Sequence, residues 1–402
     1  MSATPPEQAA NVRRYLVLLA SLVIQITLGG VYAWSEFVPP LRKCYGLEVW
    51  QTQAVYGINV GFFTLAMVLG GRLMEWIGPR LVTAGGGVLF AAGWFWAGRS
   101  GGDFATLVLS VGVVVGTGIA FGYVCLLSTC VKWFPAQKGL VAGLTVAGFG
   151  AGAIVLSQVA DFFLRAGTDV LAFFQGLGLV GGAVVVLASL VLAAPKGEAA
   201  PIHSHLTALR NLLRQRRFWA LVAGLMAGTF GGQLVVGNLK VIGLSQGLSA
   251  WWATIPVSAF AAGSAAGRIT WGWLHDRLGR NVVPASLALL GGSVLLLRTA
   301  GAEGAAFCAA AAMVGFCYGG NFVLYASEVA GAFGVHSVAK VYPWVFLSYA
   351  ISGTTGPLVG GWMYGLGGTY TWALVLAACV AAVGTAAHWR LREPAPPRRR
   401  EP

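Results

Sequence analysis

One arginine, Arg268, lies within AFAAGSAAGRITWGW, an apolar stretch that carries no other charge, about two helical turns short of the next charged loop. In a membrane-crossing helix a central arginine costs about 2.5–3.5 kcal/mol on insertion-based scales, so the position demands a compensating role. A guanidinium stays charged at every physiological pH and presents a planar fork of donors. That fork fits a carboxylate through two parallel hydrogen bonds where water is excluded. The alternative is a side chain that snorkels toward His275 and the interface, but Ala265, Ala266 and Gly267 suit a close-packed or water-lined helix face. Arg268 is therefore the candidate anion-binding residue.

Acids in comparable surroundings are few. Glu36, Asp161 and Glu328 fall within or near the ends of apolar stretches, where a carboxyl group can take up a proton and couple it to anion movement. Glu36 is the first candidate, against the alternative of an acid wetted from the neighbouring loop. Asn238 and Asn321 are polar residues in two further apolar stretches, and each can bind a substrate hydroxyl or hydrogen-bond between helices.

The elements that must position these residues follow from composition. Of 402 residues, 57% are hydrophobic and only 10% charged, and the mean hydropathy is +0.74, values that make a bilayer the main solvent. A helix crosses the hydrocarbon core with about 20 apolar residues. Such runs recur at 14–38, 52–74, 81–98, 104–127, 139–163 and 170–193, then at 218–242, 249–274, 281–299, 304–331, 341–365 and 368–389. The reading is an all-α membrane protein of twelve transmembrane helices. The two arginines before the first run imitate a signal peptide, but no small-residue cleavage site follows, so that run is read as the first helix.

Placing the N-terminus in the cytoplasm puts nineteen of the 26 Lys and Arg residues on that side and six on the other, with Arg268 alone inside a span. The positive-inside rule then expects both termini in the cytoplasm and the chain in the cell's inner, or plasma, membrane. Residues 1–194 and 218–391 form two six-helix bundles. The loop 195–217 carries LTALRNLLRQRRFW, whose leucines and arginines take opposite faces of an interfacial helix. The tail 392–402 is basic and is expected to be disordered beside the inner leaflet.

Several functions are excluded. The net charge of +13 is spread over loops and termini, without an aromatic-interleaved patch for nucleic acid. The six cysteines occur singly, with no spacing for zinc or disulfides. His203 and His205 read as a solvated loop in preference to a metal pair. GFGAG at 148–152 has no preceding strand, and no Walker loop or nucleophile elbow is present. No catalytic residue, metal or cofactor is expected.

The segment Gly71-Arg72-Leu73-Met74-Glu75-Trp76-Ile77-Gly78 recurs as Gly272-Trp273-Leu274-His275-Asp276-Arg277-Leu278-Gly279, an offset of 201, half the chain. These G-x-L-x-[D/E]-x-x-G loops, with twelve spans, resemble the major facilitator superfamily over the whole chain. GVYAWSEFVPPL, KWFPAQKGLVAGLTVAGFGAG and GRITWGWLHDRLGR resemble its branch of monocarboxylate (lactate and pyruvate) transporters and the oxalate:formate antiporter. The resemblance implies two pseudo-symmetric bundles that rock around a mid-membrane site. It places Arg268 at the branch's substrate-binding arginine. It implies a pocket completed by Tyr32, Tyr123 and Tyr318, with Phe149 and Phe322 as walls. The antiporter's second cation corresponds to Tyr349, which implies a monoanion.

The lysine and aspartate of the animal transporters' proton relay correspond to Glu36 and Ser264, so coupling here would differ. Arg72, Glu75, Asp276 and Arg277 are implied as a conformational gate, each acid pairing with an arginine or a helix N-terminus of the other half. The function implied is proton-coupled symport of a small monocarboxylate by a monomer. Its alternative is carboxylate exchange of the oxalate and formate type. Export of a larger lipophilic compound and a nontransporting sensor are the remaining readings.

Overall fold

The computed structural model describes residues 5–195, 210–301 and 303–390. Helix α1 (Pro5–Gly29) tightens into a 3₁₀ stretch, Gly30–Glu36, before the short α2 (Val38–Tyr45). The first apolar run is thus one crossing in two helical forms, with Gly29 lying against the backbone of Phe149 where a Cβ would not fit. The Tyr45 hydroxyl donates to Asp169 Oδ1 at 2.7 Å and ties α2 to the far end of the N-terminal bundle. Burial, and then that bond, push the Tyr45 phenol up to about 12.

Helix α3 (Val49–Ala97) contains two crossings, bent at Gly78, whose φ of 81° and ψ of 165° suit glycine. Pro79 follows and lacks the N–H that would continue the ladder. The repeat places the same corner at Gly279, with φ of 67°, between α8 (Ala250–Leu278) and α9 (Val282–Thr299). Helix α4 (Gly116–Trp133) continues a π-helical stretch, Val108–Val115, in which the Asn59 side chain donates to Val111 O at 2.7 Å. It outruns the predicted 104–127 because its last turn, with Lys132, continues beyond the apolar run.

The remaining helices are α5 (Lys138–Arg165), α6 (Val170–Ser189), α7 (Arg216–Ser245), α10 (Gly304–Phe333), α11 (Val338–Gly367) and α12 (Thr371–Arg390). Among the described residues, nine stretches are long and apolar enough to cross a bilayer. Two of them, Ala54–Ala97 and Ile255–Thr299, hold two crossings each, and the less apolar α11 is the twelfth. Of the predicted interfacial helix, 196–209 lie outside the described residues, and 210–213 are helical. The tail 392–402 also lies outside them.

Both bundles bury aromatic and branched side chains. In the first, Trp34, Phe37, Trp94 and Phe174 interlock, with Phe37 and Phe174 edge-to-face at 5.0 Å. Trp76, Phe162, Trp362 and Trp372 stand on the outside, a surface matched to lipid. The bundles meet where α5 packs on α8 and the first arm of α3 packs on α11. Glycines permit both approaches at the end that carries Arg72, Arg80, Arg277 and Arg280, here termed the basic end. Gly139 lies on the backbone of Gly272, and Gly71 on that of Ala339.

Candidate functional site

Arg268 sits about one turn from the Gly139–Gly272 contact and is 8% exposed. Its guanidinium crosses from α8 to α5, where Nη1 donates to Val146 O at 2.9 Å. It fits there because Gly150 has no side chain. The Phe322 ring lies 5.7 Å from Cζ. Nε is buried without a hydrogen-bond partner, and among the described residues no carboxylate is within ion-pair distance of Arg268. A buried donor left over in this way is costly unless something accepts from it.

Tyr32, Phe63, Tyr123, Val146, Phe149, Phe322 and Phe346 enclose the space beside the guanidinium. Phe149 is the hinge of this wall, edge-to-face with Tyr32 and Tyr123 at 5.2 Å each and stacked on Phe63 at 5.9 Å. Phe346 closes it from the other bundle, 5.9 Å from Phe63 and 6.0 Å from Tyr123. The enclosed volume is about 10 Å³, at the lower limit for a single water. A carboxylate enters only when the bundles part.

Tyr318 and Tyr349 lie behind Phe322, each 5.2 Å from its ring, and their hydroxyls both accept from Gln233 Nε2, at 2.9 and 3.0 Å. Sequence reading did not single out Gln233, Phe63 or Phe346. The signal for Gln233 was available: an amide within a long apolar run needs partners. Phe63 and Phe346 carry no such mark among 21 phenylalanines.

Asn238 bonds between helices: Nδ2 donates to Leu234 O and Pro357 O, and Oδ1 accepts from the Tyr370 hydroxyl at 3.0 Å. Asn321 donates to Cys317 O and packs on Gly228 of α7. Neither lines the space at Arg268.

The three acids lie in different settings. Glu36 is half-buried and accepts from the Ser157 hydroxyl at 3.0 Å. Asp161 forms a surface pair with Arg165 at 2.7 Å, with side chains 43% and 81% exposed. Exposed pairs of this spacing contribute about 0.3–0.5 kcal/mol, so Asp161→Asn is expected to leave transport and its pH dependence within about twofold, measured as initial uptake rates. Glu328 is buried, with Oε1 2.8 Å from His275 Nε2.

At the basic end, the Asp276 carboxylate accepts from the N–H groups of Gly139 and Leu140, both at 2.8 Å, and so caps the first turn of α5 in the other bundle. Its repeat partner Glu75 pairs with Lys340 of α11 at 3.0 Å. Arg72 lies over Trp344 of the opposite bundle at 5.7 Å, whereas Arg277 stacks on Trp273 of its own helix at 4.2 Å and, among the described residues, joins nothing across the interface.

Two bundles of apolar helices that touch through glycines at one end and enclose a buried cation where they meet make a membrane transporter, not an enzyme. The chain belongs to the Major Facilitator Superfamily, whose family model matches residues 17–342 and 242–402. It is 28% identical to the oxalate:formate antiporter of Oxalobacter formigenes over 86% of this chain and 83% of that protein. It is 28% identical to the uncharacterized MFS-type transporter YhjX of Escherichia coli over 84% and 85%. Human monocarboxylate transporter 11 is 27% identical over 86% of this chain and 76% of its own. In fold it is similar to the crystal structure of the transporter FucP in the outward conformation, with a TM-score of 0.76, 16% identity, and coverage of 94% of this chain and 99% of that one.

Proposed function

We propose that this transporter moves a small monocarboxylate of the lactate and pyruvate class together with a proton, by alternating access, across the cell's inner membrane. The observation that carries this reading is Arg268, a buried guanidinium at the meeting of the bundles with Nε unpaired and no carboxylate beside it among the described residues. A desolvated fork of this kind takes a carboxylate through charge-assisted hydrogen bonds. Tyr349, held by Gln233, is neutral, which favours a single negative charge on the substrate. Relatives named for oxalate, formate, monocarboxylates and pyruvate support the same chemical class.

Residues 1–194 and 218–391 are the two rocking units, functional as a monomer, and the basic end faces the cytoplasm with both termini. Arg72, Glu75 and Asp276 hold that end shut, and separation of α5 from α8 opens it. A carboxylate exchanger is the second reading, favoured by the likeness to the antiporter of Oxalobacter formigenes.

Uptake of labelled L-lactate into proteoliposomes decides between them. Symport predicts uptake driven by an inward acid gradient into empty vesicles. Uptake that occurs only when an internal carboxylate is supplied establishes exchange instead, and its absence under both conditions removes this substrate class.

A further inference from the structure

We propose that His275 and Glu328 form the proton-binding site of this transporter, and that Lys138 of the opposite bundle competes with the proton for it. The inference rests on the symport reading above and names the seat of the proton. His275 Nε2 and Glu328 Oε1 lie 2.8 Å apart, with side chains 6% and 10% exposed, joining α8 to α10 inside one bundle. His275 Nδ1 is buried with no hydrogen-bond partner among the described residues. The pair holds a negative charge when the imidazole is neutral and none when it is an imidazolium, so it stores one proton without any further group.

The internal repeat argues that the fold itself does not require the pair. Met74 is the counterpart of His275 at the offset of 201. The segment leading into α4 begins at Phe104 and α10 at Gly304, and the two helices end at Trp133 and Phe333, an offset of 200. The counterpart of Glu328 is therefore Ser128. Both counterparts are buried, so one bundle fills with a thioether and a hydroxyl the places where the other holds an acid and a base. Desolvating two ionisable groups carries a penalty that pairing repays only in part, and the first bundle packs without incurring it.

Position connects the pair to the conformational change. Lys138 opens α5, and its Nζ lies 3.0 Å from where a Cβ on Gly331 would stand, one turn beyond Glu328 at the C-terminal end of α10. That end of a helix favours a cation. Among the described residues, the other titratable groups acting on Glu328 or Lys138 are Asp276 and Arg280 following His275, Tyr325 on α10 and His388 on α12. Of these charged groups only Lys138 belongs to the other bundle.

In the closed arrangement the ammonium stands at the end of α10 that carries the carboxylate, within reach of its electrostatic attraction. An imidazolium at His275 cancels that attraction, and it adjoins Asp276, whose carboxylate caps α5. A bound proton thus loosens the basic end, and by linkage opening of that end strengthens proton binding. His275 and Arg268 lie seven residues apart on one face of α8, about 10 Å along its axis, so proton and anion act on the same helix.

The test compares wild type with His275→Met/Glu328→Ser, which copies the first bundle, and with the nearly isosteric Glu328→Gln. An inward gradient of one pH unit accumulates a one-proton substrate about tenfold. Wild type should reach that accumulation of L-lactate, and both variants should show none while retaining lactate-for-lactate exchange, which moves no net proton. Gradient-driven accumulation by the variants overturns the proposal, and so does loss of exchange in both, which makes the pair structural.

A readout without substrate separates this inference from the proposed function. Spin labels on the basic ends of α5 and α8 should move apart in wild type between about pH 8 and about pH 5, and stay fixed in the double variant. Wild-type separation that ignores pH overturns the site even where lactate is transported. A failure of wild-type lactate uptake with this movement intact overturns only the substrate.

Discussion

Arg268→Gln is expected to reduce carboxylate uptake by at least about 30-fold with normal expression and a monodisperse protein. Truncating one member of a buried, hydrogen-bonded charge pair costs roughly 2–5 kcal/mol, which spans about 30-fold to several thousandfold in affinity. Among the described residues Val146 O is the one protein acceptor that Arg268 uses, so folding loses at most one hydrogen bond, about 1 kcal/mol. Arg268→Lys retains charge without the planar fork and is expected to fall between the two, because a point charge does not reproduce a bidentate contact. The measurement is equilibrium binding of lactate alongside uptake. Full activity of Arg268→Gln would remove Arg268 from the mechanism and favour an uncharged or larger lipophilic substrate.

Gly139→Val is expected to hold the basic end open. A Cβ there falls on the Gly272 carbonyl and 2.9 Å from Asp276 Oδ1, and neither the backbone nor the capping carboxylate can withdraw while α5 stays seated. Overpacking costs about 1–3 kcal/mol and loss of the cap about 1 kcal/mol, together enough to shift a two-state equilibrium by about 30- to 1,000-fold. Uptake should fall at least tenfold while the spin-label distance between α5 and α8 increases and carboxylate binding persists. Gly85→Val is the matched control, since among the described residues nothing lies within 4 Å of its Cβ position. Equal losses in both variants would show that bulk alone, not the helix contact, is responsible.

The crossings, the corners at Gly78 and Gly279 and the isolation of Arg268 were all legible in the chain, because each depends on something local. A run of apolar residues crosses lipid wherever its neighbours lie. At Gly78 a glycine followed by proline breaks a helix by its own backbone chemistry, the repeat carries that corner to Gly279, and a charge among alanines is conspicuous without coordinates. Asp276 was legible as well, through the repeat. Which helix N-terminus it holds was not, since that of α5 lies 136 residues away in sequence at Leu140.

The sequence by itself determined that this chain is a helical membrane transporter with one costly cation at mid-span. Only the tertiary structure decided that Phe63 and Phe346 join the aromatic residues around that cation while Tyr318 stands behind them, that Gln233 binds two tyrosines, that Asn238 serves helix contacts and that Glu328 is paired with His275. In a soluble helix, polar residues mark the outer face and so reveal the inner one. Here lipid and bundle interior are both apolar, so Phe63 and Phe162 read alike in the chain, yet one walls the chamber and the other stands outside. That choice of face is made by helix packing, through glycine contacts between residues more than a hundred positions apart.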